Sequence, residues 1–198
     1  MLALRHGCVL MTLDAESQDQ VRVYHRLPEE MRGTTLYPLN ELRDREPSAY
    51  RDQVAKYEGR EALLSKPVPP LGVLWNDVLH MSPVHPAHIR DAILAAGFKW
   101  PAGSQRYLQI DPSQLGMSED NACLFHAIVP SQRERGAEPR FEPYTHEGVR
   151  LHSQLPDDVR DYYRECATSG SRPFVFQGVV HVLYRGTIDV SSTAAFDV

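Results

Sequence analysis

About six apolar, strand-like runs, at residues 21–25, 71–75, 107–111, 123–129, 174–184 and 187–190, follow one another without a helix regularly between them. Regular strand–helix alternation builds a doubly wound parallel sheet, whereas this irregular order predicts an α+β fold with a mixed, mainly antiparallel sheet. Three or four helices accompany it. Asn40 with Glu41 and Asp44 signals one start and Ser48 a second, whose apolar positions run through Tyr50, Val54, Tyr57, Ala62 and Leu63. Pro86 ahead of residues 87–96, closed by Gly97, gives a third. The fourth opens on Pro156-Asp157-Asp158 and carries Val159, Tyr162, Tyr163 and Cys166 on one side.

Proline restricts the alternatives further. Lys66-Pro67-Val68-Pro69-Pro70 lacks the amide donors for a helix or a central strand and reads as a stiff connector. It feeds residues 71–75, expected as a buried strand. Residues 131–148, polar with two prolines and two glycines, read as a long mobile loop of the kind that covers a site. The run at 174–184 is the strongest strand signal, with a bulge or bend expected at Gly178.

A chain of 198 residues fits one domain. The boundaries expected are an arm over 1–20, an α+β domain over 21–190 and a fraying tail over 191–198. The 18 Arg, 3 Lys and 26 acidic residues leave a net charge of -5, which removes a strong non-specific attraction to nucleic acid. A nucleic-acid acceptor is compatible with a local basic groove but is not indicated by that charge. Cys8, Cys123 and Cys166 are odd in number and lack CxxC spacing, which points to a reducing compartment. The N-terminal apolar run carries Arg5 and His6 and is too short to span a bilayer, so the cytoplasm and no membrane partner are expected. No GxSxG, Walker loop or GxGxxG occurs.

The nine histidines are the main chemical resource. His25, His80, His85, His126 and His181 fall in or at the ends of expected strands, where side chains converge on a cleft, although each also suits a hydrogen-bonded structural histidine. Asp77 with His80 has the makings of a carboxylate that orients a base. His80, His85 and His88, with Asp77, form the alternative: a divalent transition-metal site, without an established ligand signature. A third reading is a non-catalytic module that binds an anionic ligand through its arginine-rich, aromatic surface.

The segments VYHRLP, LYPLNELRD, YEGRE, LWNDVLHMSPVHPAHI and HVLYRGTIDV resemble a family of uncharacterised bacterial proteins of similar size, over most of residues 22–190. A more distant likeness is to the ADP-ribosyltransferase fold, including DNA-targeting ADP-ribosyltransferase toxins and RNA 2'-phosphotransferases. It rests on a first strand bearing Tyr24-His25, a following helix, and a later strand-turn-helix over 78–93. The resemblance implies NAD as cofactor and ADP-ribosyl or related group transfer on a nucleotide-like small molecule. His25 would contact the nicotinamide ribose and Arg26 a phosphate, beside Tyr24. Trp75, Asn76, Asp77, His80 and His85 would form the opposite wall. Where that family places a late catalytic carboxylate this chain offers Gln177, whose neutral amide gives less help to an oxocarbenium-like state.

Overall fold

A computed structural model describes residues 20–101 and 105–198. The first half holds β1 (Val23–Arg26), β2 (Thr35–Leu36), α1 (Leu39–Arg45), α2 (Pro47–Val54), β3 (Pro67–Val68), β4 (Val73–Leu74), β5 (Leu79–Met81) and α3 (Pro86–Ala95). Then come β6 (Arg106–Ile110), β7 (Ala122–His126), α4 (Pro130–Glu134), β8 (Arg140–Pro143), α5 (His146–Leu151) and α6 (Asp157–Ser169). Three strands follow, β9 (Val180–Tyr184), β10 (Ile188–Asp189) and β11 (Ala194–Asp197). The fold is α+β, and every strand pair described is antiparallel.

Two sheets carry the architecture, one ordered β1-β6-β11 and the other β5-β9-β7-β8. A single bridge joins them, Tyr24 to Ser82, with reciprocal amide–carbonyl bonds of 2.8 and 2.9 Å. Beyond it β1 and β5 do not pair, and the gap is spanned by a side chain: His25 Nδ1 lies 2.8 Å from the His80 carbonyl oxygen.

One core cluster lies against both sheets and includes Val23, Met81, Leu108, Leu124, Val182 and Ile188. Fully burying each such side chain stabilises the fold by about 1.5–3 kcal/mol. A second cluster packs α3 on α6 through Ile89, Ile93, Val159 and Tyr163. Both helices form where expected: His85 Nδ1 accepts from the Ala87 amide ahead of Pro86, and α6 ends on Gly170 in the left-handed region.

Several local expectations are corrected. Six α-helices are present among the described residues, because the expected loop at 131–148 contains α4, β8 and α5. The Thr145 hydroxyl accepts from the Gly148 amide to open α5, and β8 pairs with β7 over four residues. The helix starting near Ser48 begins on Pro47 and ends at Val54, with short 3-10 turns on either side of Gly59, whose φ of 74° breaks the spiral. Asn40 sits inside α1 rather than capping it.

Residues 71–75 are not a buried strand. The chain reverses at Gly72, β3 and β4 form a two-residue hairpin, and Leu74 is 39% exposed. At 174–184 only β9 is extended. Residues 174–178 form a turn closed by a Gln177 amide to Phe174 carbonyl bond of 3.2 Å and by Gly178 at φ 75°. The tail expected to fray holds β11, an edge strand whose register on β6 runs from Ala194 opposite Gln109 to Asp197 opposite Arg106. The expected N-terminal arm lies, apart from Gln20, outside the described residues, as do His6 and Cys8. Among the described residues no helix is long and apolar enough to cross a membrane.

Candidate functional site

Where β1 and β5 part, a cavity of about 810 Å³ opens. His25, Trp75, Asn76, His80, Gln177 and His181 all line it. Two walls of the expected site, the imidazole on the first strand and the turn after residue 75, therefore share one hollow. Phe174, Phe176, Tyr37 and Tyr57 add aromatic surface, while Arg32, Lys56 and Arg60 supply cations.

The three histidines are held as neutral rings. His80 Nε2 lies 2.9 Å from the Trp75 carbonyl oxygen, so that nitrogen carries the proton. His25 Nδ1 donates to the His80 carbonyl in the same way, which leaves Nε2 as an acceptor. Burial holds His25 below its usual range, against the opposing effect of that backbone bond. Burial, reinforced by His181, pushes His80 down to about 3, and burial pushes His181 down to about 4. Their rings are edge-to-face at 6.3 Å.

Behind them Lys66 Nζ lies 4.0 Å from the Trp75 ring centre and 4.3 Å from that of Phe125, and desolvation lowers its pKa. Asn76 is buried. Its Oδ1 accepts from the Tyr57 hydroxyl at 3.0 Å, whereas its Nδ2 has no partner among the described residues. An unpaired buried amide donor costs about 1–3 kcal/mol, which a ligand acceptor would recover.

Other expected members lie elsewhere. Asp77 orients no base: its carboxylate accepts from Asn40 Nδ2 at 2.6 Å and from the Leu74 amide at 2.8 Å, fastening α1 to the turn. Gln177 is on a turn rather than a strand, and its amide nitrogen donates to the Ile128 carbonyl. Tyr24 and Arg26 project away from His25, as neighbours on a strand do. Arg26 is exposed and 3.7 Å from Glu29. Tyr24 meets His85 edge-to-face at 4.8 Å, and with His88 they line a second, smaller hollow of about 390 Å³. The metal set His80, His85 and His88 is thereby divided between two hollows, and His85 Nδ1 is already engaged as the α3 cap.

Some of the cavity was not found from the sequence. The sequence places His181 and Phe174 on an expected strand and Tyr57 on an expected helix, and singles out Arg60 only within YEGRE; their convergence depends on the turns at Gly59 and Gly178. His126, Glu142 and His152 form a separate grouping whose ligand atoms all lie within 4.8 Å of one another. Cys123 is buried, its thiol pushed up to about 11 by desolvation, so it is an inert core residue. Comparison of the chain with protein-family models, curated proteins and solved structures gave no match.

Proposed function

We propose that the cavity between the two sheets binds a nucleotide-like molecule and that its chemistry is NAD-dependent group transfer of the ADP-ribosyl type. The observation that carries this reading is the convergence of His25, His80, His181, Trp75 and Asn76 on one hollow whose aromatic walls meet the cations Arg32, Lys56 and Arg60. Aromatic faces suit a base or nicotinamide ring, and guanidinium groups suit a diphosphate. The Nε2 of neutral His25 is an acceptor for a ribose hydroxyl, and the unpartnered Asn76 Nδ2 is a donor for a carboxamide or phosphate oxygen.

The lining carboxylates are Glu30 and Glu46, from the segment after β1 rather than from a late strand. A carboxylate near the ribose favours the cationic state formed as the glycosidic bond to nicotinamide breaks, and among the described residues lining the cavity these two are available for that role. Arg32 lies 3.8 Å from Glu46 and holds it at the rim. A cytoplasmic location accords with the free thiols of Cys123 and Cys166.

Calorimetric titration with NAD, together with release of nicotinamide, tests the reading. The wild-type protein is expected to bind NAD, and His25→Ala to weaken binding about tenfold through loss of a net hydrogen bond of roughly 1–1.5 kcal/mol. Phe174→Ala, at an exposed position on the mouth, provides a variant that keeps the fold. No heat of binding at millimolar NAD, with both variants matching wild type, would remove the proposal. Binding without nicotinamide release would leave the non-catalytic anion-binding module.

A further inference from the structure

On the sheet face opposite the cavity histidines, His126, Glu142 and His152 meet where three elements end. His126 closes β7, and it pairs with Arg140 on β8, two residues from Glu142. In an antiparallel pair, opposed and alternate residues share a face, so His126 and Glu142 project to the same side. His152 caps the C-terminus of α5, and its ring meets that of His126 edge-to-face at 4.9 Å. Each residue offers one ligand atom, and the three atoms fall within 4.8 Å of one another. A tetrahedral ion with bonds of about 2.0–2.2 Å places its ligands roughly 3.4 Å apart, so closure needs only side-chain adjustment.

A second observation points to a ligand. His126 is 9% exposed, yet among the described residues its Nε2 has no hydrogen-bond partner. Glu142 Oε2 is only 2.9 Å away but lies off the direction a ring N–H or lone pair would use. An imidazole nitrogen buried beside a carboxylate without a hydrogen bond is an uncompensated polar group. An ion set between the two would satisfy both. Arg140 contacts the other carboxylate oxygen of Glu142, leaving Oε2 for the ion.

We propose that His126, His152 and Glu142 form a binding site for a divalent transition-metal ion of the zinc class. Two imidazoles and one carboxylate are a donor set for zinc with an open fourth position, which solvent can reach because Glu142 is partly exposed. The site fastens the β7–β8 hairpin to α5 and lies apart from the nucleotide cavity.

The test is titration of chelator-treated full-length protein with Co2+, read as visible absorption, and with Zn2+, read as competition and as a melting shift. A tetrahedral Co2+ spectrum displaced by one equivalent of Zn2+, with a raised melting temperature, is expected. His152→Ala and Glu142→Gln, both at partly exposed positions, should keep the circular dichroism of the wild type and weaken Co2+ binding at least tenfold. Absence of a Co2+ spectrum at millimolar ion, or wild-type affinity in both ligand variants, would overturn the site.

Discussion

Two groups of histidines occupy this protein under opposite constraints. In the cavity group, His25 and His80 each direct one ring nitrogen at a backbone carbonyl, and the His181 ring stands edge-to-face to that of His80. Those bonds fix tautomers and orientations, so the rings work as positioned neutral donors and acceptors. In the edge group, His126 Nε2 finds no hydrogen bond and stands beside a carboxylate. The difference teaches that a histidine's role follows from where its second nitrogen goes. Rings secured by the main chain are fixed in tautomer and orientation, whereas a ring with a buried, unpartnered nitrogen keeps an uncompensated polar atom.

Acid separates the groups most strongly. The folded pKa values of about 3 for His80 and about 4 for His181 lie below the unfolded value near 6.5. The unfolded chain therefore binds more protons as pH falls below 6.5, and stability present at neutral pH is lost progressively towards pH 4 and 3. Each of these histidines contributes a slope of up to about 1.4 kcal/mol per pH unit, reduced where water reaches the ring. Urea denaturation at pH 7, 5.5 and 4.5 should show this fall, and His181→Gln should flatten it. An equally steep profile in that variant would break the assignment.

Next in size is Gly178→Ala. The residue has φ 75°, and an added Cβ would meet Val129 Cγ1 at 2.5 Å and Val159 Cγ2 at 3.0 Å. A loss of about 2–3 kcal/mol is expected from strain and overpacking, with weaker ligand binding because the turn carrying Phe174 and Gln177 shifts. Metal affinity at the edge group should be unchanged. Equal damage to both sites in this variant would show that the two regions are not independent.

The smallest effect on the fold is expected from Phe174→Ala. The ring is 61% exposed, so thermal stability should change by less than about 0.5 kcal/mol. Its loss should fall on nucleotide binding alone, measured by calorimetry.

The sequence was most legible where one local rule acted alone. Pro86 with Gly97, and the acidic first turn of α6 with Gly170, marked their helices because capping chemistry is short-range. Apolar β6 and β7 were readable by pattern. The hairpin at Gly72 and the turn at 174–178 were not, since a short apolar run has the same appearance in a strand and in a tight reversal packed on the core. β11 was hidden because Ala194, Ala195 and Phe196 gain their order from pairing with a distant strand.

The same distinction holds at the site. His25 and the turn after Trp75 could be assigned to one hollow, yet Asp77 could not be excluded from it until Asn40, which is 37 residues away, was seen to engage its carboxylate. His126, Glu142 and His152 lie on β7, on β8 and at the end of α5, and only the fold brings them together.

The lone pairing of Tyr24 with Ser82 has a mechanical consequence. Beside that backbone pair and the shared core, the seam is crossed by the imidazole of His25, which reaches from one sheet to the His80 carbonyl of the other. The proposed ligand would touch His25 on one sheet and His80 on the other, so its binding is expected to stiffen the domain across the seam.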